Sequence, residues 1–254
     1  MDKLYRTMQK AEDLAKHLSQ IVAEERQKGG AAGYFAALYL RMTQAVISGI
    51  AAGRFEDGAR MECLILVFGA RYLEAYKRYE AGISAGKAWQ AAFEAHRQNR
   101  VSIIQHLLLG INVHINLDLG IAAGEIAPGP AIDALRKDFD TINAVIAGLV
   151  DDIQERLGSM SFPMRLLDRL AGKADESVAN FSIHAARAAS WQAATAYAHA
   201  QPGAERAALI SAIDETAFQL ARRIANPGLI AKLVLVPVRW FEPADVGANI
   251  GRLL

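Results

Sequence analysis

The stretch RVSIIQHLLLGINVHINLDLGIAAG, residues 100–124, is the most apolar part of the chain. Its apolar side chains surround the whole circumference of a helix, a pattern typical of a helix that is packed on all sides. Neither this stretch nor any other contains about 18 uninterrupted apolar residues, so no membrane span is predicted. We therefore expect a buried helix here, inside a protein built from helices.

Amphipathic segments precede and follow this helix. Their apolar side chains recur at intervals of three and four residues, which is the spacing of helices with one buried face. Glycine, proline and asparagine mark the breaks between them. We expect further helices at about 2–28, 32–52, 58–79, 84–96, 130–158, 175–200 and 203–225, a short one after Pro163, and a last turn or two at 244–254.

The segment 229–242 is ambiguous, because its β-branched residues suit an extended segment or a buried helical turn. No strand pair, tandem repeat or low-complexity linker is evident elsewhere. The prediction is an all-α fold, a single irregular bundle of about ten helices that occupies residues 1–254. An N-terminal amphipathic helix is expected within residues 1–30.

The charge of the chain is balanced: 28 Lys and Arg face 27 Asp and Glu, which gives a net charge of +1. Such a balance leaves no basic surface of the kind that binds nucleic acid or anionic membranes. Cys63 is the one cysteine, which excludes a disulfide framework and a thiolate metal cluster and suits a reducing compartment. Because the chain starts with a charged, amphipathic segment rather than a secretory signal, we expect a cytoplasmic protein.

Two polar pairs interrupt the apolar helix. His114 and Asp118 are one turn apart on one face, so the carboxylate can reach the imidazole, and Asn112 and Asn116 form a second pair on a different side. One interpretation is structural: a neutral buried histidine is held by its aspartate, and the asparagines join helices. The other is an acid–base dyad, or a site for a divalent metal ion with His114, Asp118 and His106 as ligands.

Further candidates for substrate binding are polar side chains on faces that should be buried, together with an aromatic residue beside them: Glu62, Asp138, His184, Arg187 and Trp191. Glu62 is either paired with a buried arginine, such as Arg71 or Arg187, or part of a site. Arg187 either lays its stem along Trp191 and pairs with Glu62 or Asp138, or binds an anionic group of a substrate. His184 is a candidate base or third ligand on the same side, and Trp191 is expected chiefly to fill core volume.

The string Asp151-Asp152-Ile153-Gln154-Glu155 resembles the aspartate-rich motif with which class I terpene synthases hold magnesium and diphosphate. Most of its carboxylates fall on the face opposite the apolar stripe, and the second metal motif of those enzymes is absent. A terpene-synthase-like enzyme that uses Asp151, Asp152 and Glu155 is therefore the weaker alternative.

The string Gly-Ile-Asn-Val-His-Ile-Asn-Leu-Asp-Leu, residues 110–119, closely resembles the hallmark of a bacterial all-helical family catalogued as a domain of unknown function. Shorter matches extend the resemblance over roughly residues 34–250, at 35–39, 55–57, 68–72, 138–143 and 186–191. The resemblance implies a helical fold with a polar centre near His114, Asn116 and Asp118, and it carries no activity. Members tend to have a second polar residue, often histidine, where this chain has Leu117, which weakens the metal interpretation.

Two classes of function fit these residues. The first is an enzyme that acts on a small, largely apolar metabolite by hydrolysis, elimination or cyclisation in a pocket around His114 and Asp118. His114, backed by Asp118, would be the base or acid, Asn116 would stabilise an oxyanion, and Arg187 would hold an acidic group. The alternative is a non-catalytic carrier or interaction module whose buried polar groups form a structural network. The expected partner is a small-molecule substrate and not nucleic acid, with a homodimer and the identity of any cofactor left open.

Overall fold

The computed structural model of the chain describes residues 8–97, 101–160 and 173–254. This part of the chain consists of helices and the loops that join them, and it contains no strand. In chain order the helices are α1 (Ala11–Lys28), α2 (Ala32–Ala51), α3 (Gly58–Glu80), α4 (Lys87–Ala95), α5 (Ile103–Ile126), α6 (Ile132–Met160), α7 (Lys173–His199), α8 (Ala204–Ala225), α9 (Leu229–Phe241) and α10 (Val246–Leu253).

The predicted all-α bundle of about ten helices is confirmed. The ambiguous segment 229–242 forms α9, which contains Pro237 within its helical span. A 3₁₀ turn, Gly129–Ala131, lies between α5 and α6, where the sequence predicts a loop. The short helix expected after Pro163 lies outside the described residues.

Helix α5 is the most enclosed element of the bundle, and α2, α3, α4, α7 and α8 all pack against it. It begins at a capping box, in which the side chains of Ser102 and Gln105 accept hydrogen bonds from the first backbone amides. Of the described helices, α5 is the one whose length and composition would allow it to cross a membrane. Because 83% of its most apolar window is buried inside the protein, packing against the other helices accounts for its apolar circumference.

The middle of α5, His114–Leu119, is a π-helix. Its backbone hydrogen bonds join residues five apart instead of four, so this turn holds one extra residue. The helix stays continuous, because the flanking residues Val113 and Gly120 keep α-helical dihedral angles. The wider turn carries His114 and Asp118, and π-helical turns are frequent at functional sites.

Two glycines allow α7 to approach the second half of α5 closely. A Cβ atom at Gly120 would lie 2.8 Å from the carbonyl oxygen of Ser190, and one at Gly124 would lie 2.7 Å from that of Ala194. Both oxygens belong to the backbone of α7, which cannot turn aside as the end of a flexible side chain can. The two helices therefore pack backbone to backbone along this face.

We expect Gly124→Ala to lower the free energy of unfolding by about 1–3 kcal/mol, because the new methyl group overpacks the contact with α7. Urea denaturation measures the effect. The matched control is Gly228→Ala, where a Cβ atom would meet no other atom within 4 Å. The control should stay within about 0.5 kcal/mol of the wild type. Equal losses in both variants would mean that the close contact is not the cause.

Candidate functional site

An apolar cavity of about 210 Å³ lies between α2, α3, α5, α6 and α7. Leucine, isoleucine, valine, methionine and phenylalanine side chains form most of its wall. Among the described residues, the polar side chains of this wall are Tyr39, Thr43, His114 and Arg187. The volume exceeds the roughly 150 Å³ of an engineered apolar cavity that holds benzene. The cavity is therefore large enough for a small organic molecule.

The wall of this space is almost entirely apolar. Apolar surface that remains in contact with water forgoes the free energy of burial, about 25 cal/mol per Å². A bound apolar molecule would therefore be stabilised by the hydrophobic effect.

His114 projects from the π-helical turn into the wall of the cavity. The side chain is buried, and its ring stacks on Phe68 with ring centroids 3.6 Å apart and planes 11° from parallel. The ring of Tyr39 meets it at a steep angle, with centroids 4.3 Å apart. One turn earlier on α5, Gly110 leaves room for the ring of Phe35, which also contacts the imidazole. These aromatic contacts fix the orientation of the histidine ring.

The carboxylate of Asp118 holds the opposite edge of the imidazole. It accepts hydrogen bonds from Trp89 Nε1 at 2.9 Å and Arg71 Nε at 3.0 Å, and one oxygen lies 3.1 Å from His114 Nδ1. An ionised carboxylate can only accept hydrogen bonds, so the hydrogen of the bond between Asp118 and His114 has to be on Nδ1 of the imidazole. In the neutral ring, Nε2 is then a lone-pair acceptor. This nitrogen is buried and has no hydrogen-bond partner among the described residues.

Burial keeps the imidazole neutral. Removal from water lowers the pKa of His114 below its ordinary value, while the hydrogen bond and charge of Asp118 act in the opposite direction. At neutral pH the ring is therefore uncharged and presents a basic nitrogen at an apolar cavity. A general base has this form before its substrate binds.

Two hydroxyl groups also line the cavity. Tyr39 and Thr43 lie one turn apart on α2, and within the described part of the chain neither hydroxyl makes a hydrogen bond of ordinary geometry. Burial, together with the charge of Asp118, raises the pKa of Tyr39 well above its usual range, so the phenol stays protonated. Both hydroxyls are able to donate to an oxygen atom of a bound molecule.

Arg187 reaches the cavity wall from α7. The side chain is buried, its guanidinium lies 4.5 Å from the centre of the Phe139 ring, and Nη2 donates to the carbonyl oxygen of Phe139. Nε has no partner, and no carboxylate lies within ion-pair distance in the part of the chain that the structure describes. Burial lowers the pKa of Arg187 to about 10, while the charge of Asp140 acts in the opposite direction, so the group remains charged at neutral pH. A buried cation with no carboxylate at ion-pair distance is costly, because desolvation of the charge is incompletely compensated.

Asn116, which the sequence placed with the catalytic pair, turns toward α8. Its Nδ2 donates to Asn112 Oδ1 at 3.0 Å, and Asn112 in turn donates to the carbonyl oxygen of Ala217 at 2.9 Å. The two asparagines thus attach α5 to α8, and Asn116 does not line the cavity. Their arrangement matches the structural interpretation of this pair.

His106 lies near the start of α5, two turns before His114. Its Nδ1 is 3.0 Å from Nδ1 of His96, and its ring stacks on Tyr34 with centroids 5.7 Å apart. The structure therefore pairs His106 with another histidine and does not bring it to Asp118.

Asp138 is fully buried and ties the α2–α3 loop to α6. It accepts hydrogen bonds from the backbone amides of Glu56 at 2.6 Å and Asp57 at 3.1 Å, and from Arg60 Nη2 at 2.7 Å. With three donors, both oxygens are satisfied by the protein itself. The geometry supports a structural role for this carboxylate.

Glu62 and Trp191, two of the other predicted binding residues, also lie away from the cavity wall. Glu62 accepts a hydrogen bond from the backbone amide of Ala11 at the start of α1, at 3.2 Å. Trp191 is half-buried and packs edge-on against Phe139, with centroids 5.0 Å apart. The side chain of His184 lies outside the described residues.

The aspartate-rich string on α6 is not directed at the cavity where it is described. Asp152 pairs with Arg41 at 2.5 Å and with Arg156 at 2.7 Å, and Glu155 is exposed. The side chain of Asp151 lies outside the described residues. The arginines that surround Asp152 give it a structural environment.

No group of three His, Cys, Asp or Glu side chains able to hold a metal ion is found among the described residues. The oxygens of Asp118 are taken by Trp89, Arg71 and the histidine, and His106 is paired with His96. The residues present therefore do not fit the divalent metal site considered from the sequence.

Sequence reasoning overlooked several residues that complete the site: Tyr39, Thr43, Phe68, Arg71 and Trp89. Tyr39 and Phe68 belong to short segments that share the family resemblance, which was the available signal. Arg71 was one of two possible partners considered for Glu62, and in the structure it pairs with Asp118. Trp89 looked like an ordinary core residue of an amphipathic helix, and no pattern distinguished it.

The buried histidine pair predicts a loss of stability in acid. Burial, with the charge of Arg239, lowers the pKa of His106 to about 4, below the ordinary value of 6.5. Because the unfolded chain takes up this proton first, the free energy of unfolding falls as pH drops from 6.5 toward 4. His106→Gln should remove about 2 kcal/mol of the decrease between pH 6.5 and 5, measured by urea denaturation at each pH.

Glu242, whose pKa burial raises to about 7, contributes in the opposite direction, and it is present in both proteins and cancels in the comparison. The matched control is the exposed substitution His199→Gln, which should keep the free energy of unfolding at pH 7 within about 0.5 kcal/mol of the wild type. An unaltered slope in His106→Gln would contradict the assignment of this proton to His106.

Comparisons with known proteins bear on the family of the chain. No curated protein and no solved structure matches the sequence. A family profile matches residues 11–227, a range that contains every residue of the cavity wall and leaves out α9 and α10. The profile is described as a family of unknown function, so it adds no activity to the geometry. On the extent of this match, the chain belongs to the family of unknown function DUF5995.

Proposed function

We propose that the protein is an enzyme that acts on a small, largely apolar molecule by acid–base chemistry at His114. One observation carries this proposal: a neutral, oriented imidazole, whose Nε2 has no partner among the described residues, belongs to a side chain that lines an apolar cavity. A buried acceptor without a partner loses hydrogen-bond energy, and such atoms are uncommon in native proteins. An unpartnered acceptor on a cavity-lining residue is suited to a ligand that supplies the missing donor.

The reaction begins with a proton transfer to Nε2. The donor is an O–H or an acidified C–H of the ligand, or a water molecule bound beside it, and the bond to hydrogen breaks as the N–H bond forms. The imidazolium that results is stabilised by the negative charge of Asp118 through Nδ1. The same proton can then be returned to a leaving group or to another carbon atom. Hydrolysis, elimination and cyclisation all follow this course.

Tyr39 and Thr43 take the part of hydrogen-bond donors in this proposal. Both residues line the same cavity as His114. An oxygen atom of the ligand that gains negative charge during the reaction would accept hydrogen bonds from their hydroxyls. The sequence predicted that Asn116 would stabilise an oxyanion. In the structure its amide donates to Asn112, so the hydroxyls of Tyr39 and Thr43 are better placed to stabilise the oxyanion.

A non-catalytic carrier is the second candidate. It is favoured by the wall of the cavity, which apart from four polar side chains is apolar in its described part. Apolar walls provide affinity for a hydrophobic molecule without requiring a reaction. The carrier and the enzyme differ in whether the bound molecule leaves unchanged.

The remaining expectations belong to the same proposal: a bacterial, cytoplasmic protein that binds a small molecule, with residues 110–119 as the hallmark of its family. A homodimer also stays a prediction.

Turnover distinguishes the two candidates. Purified protein is incubated with the organic-soluble fraction of a bacterial extract, and the small molecules consumed are followed by mass spectrometry. We expect His114→Gln to slow consumption by about 10²- to 10⁴-fold, the usual contribution of a general base. Asp118→Asn should also slow it, because the amide leaves the tautomer of His114 unfixed.

His199→Gln, an exposed substitution at the end of α7, is the matched control and should keep the wild-type rate. Thermal unfolding of each variant separates lost catalysis from lost folding. Equal consumption by wild type and His114→Gln would refute the catalytic role. A molecule that the wild type binds and releases unchanged would favour the carrier.

A further inference from the structure

We propose that the ligand of the cavity is a single-chain aliphatic carboxylic acid, whose carboxylate binds Arg187 and whose hydrocarbon chain extends past His114. The inference rests on the proposed function in using the same cavity, and it adds the chemical class of the molecule. Its basis is the position of a lone cation at one end of a long apolar space.

The cavity is elongated along three helices. Its wall on α2 extends from Phe35 to Val46, eleven residues or about 16 Å of helix. On α5 it extends from Ile104 to Leu119, and on α6 from Ile142 to Leu157. A volume of 210 Å³ spread along walls of this length makes a narrow space. A single extended chain fits such a space better than a compact ring system.

Arg187 lies at one end of this space. It donates to the carbonyl oxygen of Phe139, one turn before Ile142, which is the first position of the α6 wall. On α7, Arg187 precedes Ser190 by one turn, and the backbone of Ser190 lies against Gly120, which follows Leu119, the last wall position of α5. The contacts with α6 and α5 therefore place the arginine at the same end of the cavity.

The opposite end is apolar and reaches the surface. Helices α2 and α6 run antiparallel there, since Arg41 pairs with Asp152 whereas Gly49, farther along α2, lies beside Val145. This arrangement places Leu157 beside the Phe35 end of the α2 wall, where Leu108 is 43% exposed. An acid that enters by this end would bring its charged group to the arginine and leave the tail of its chain near the opening.

Charge selects a monocarboxylate over a diphosphate. Arg187 is the one cationic side chain of the described cavity wall, and it faces no carboxylate within ion-pair distance in that part of the chain. A carboxylate carries the single negative charge that neutralises a guanidinium, and it matches the planar arrangement of the guanidinium donors. A diphosphate would bring additional charge into an apolar space with nothing to compensate it.

The position of His114 defines where chemistry would take place on this acid. His114 precedes Leu119 by five residues on α5, about 7 Å along the helix axis from the end that holds Arg187. His114 therefore lies beside carbon atoms a few bonds from the carboxylate, and the far part of the chain meets apolar side chains such as Phe35. A substituent near the head of the chain is the expected proton donor.

Binding of dodecanoate, with dodecanol as its neutral counterpart, tests the proposal. Calorimetry on the wild type at concentrations below micelle formation should give at least tenfold tighter binding of the acid than of the alcohol. Arg187→Met should remove this preference while it still binds dodecanol, which also shows that the variant is folded. Arg187→Lys should retain most of the preference, and His199→Gln, an exposed substitution outside the cavity wall, should bind the acid as the wild type does.

The outcomes separate this inference from the proposed function. Equal affinity for acid and alcohol in the wild type, or an unchanged preference in Arg187→Met, would overturn the assignment of the ligand class, even if His114 proves catalytic on another molecule. Arg187-dependent binding of dodecanoate supports the ligand class, even if no acid is ever converted and the carrier replaces the enzyme.

Discussion

A carboxylate inside an apolar protein has to be compensated, and Asp118 is compensated by donors from three helices. Arg71 reaches it from α3, Trp89 from α4, and His114 from one turn earlier in α5. The burial of this one negative charge therefore fixes how three helices meet at the centre of the bundle. It also fixes the tautomer of His114, because an acceptor on one side of the imidazole requires the hydrogen to be there. The structural and chemical properties of the site thus have the same origin.

The buried polar groups of the described chain differ in whether the protein satisfies them. Asp138 and the Asn112–Asn116 pair are bonded to backbone or side-chain partners, and they hold loops and helices together. Eight buried side-chain atoms have no partner in the described chain: four belong to residues that line the cavity (Tyr39, Thr43, His114 and Arg187), and four to residues that do not (Arg60, Tyr72, Gln90 and Ser190). Unsatisfied polar atoms are rare in native proteins, so the four on one cavity wall favour a ligand that completes them.

Periodicity was sufficient to predict the helices, because each amphipathic segment records which of its faces is buried. The contact between His114 and Asp118 was predictable for the same reason, since a four-residue spacing brings side chains together within one helix. Partners across helices were not predictable. The spacing of residues along the chain does not indicate that Arg71 pairs with Asp118, or that Arg187 has no carboxylate at ion-pair distance in the described chain. Both results depend on how separate helices are rotated and packed against one another.

Asn116 lies between His114 and Asp118 in the sequence, but an α-helix turns it about 200° away from His114. Its role could not be predicted from one helix, because its amide is bonded to Asn112, which in turn donates to α8. The π-helical turn was also beyond prediction, because it arises from the packing of α5 on several helices rather than from a signal in residues 114–119.

The π-helical turn changes the directions of the side chains that follow it in α5. In a regular α-helix each residue is rotated by about 100° from the one before it. The extra residue held by His114–Leu119 therefore rotates the following side chains by about that angle around the helix axis. Upstream, Gly110 has to face α2, and downstream Gly120 and Gly124 have to face α7. One residue more or fewer in this short segment would leave one of these glycine faces turned away from its helix. The length of the segment is therefore constrained more tightly than its composition, which sets the kind of variation that the fold can tolerate there.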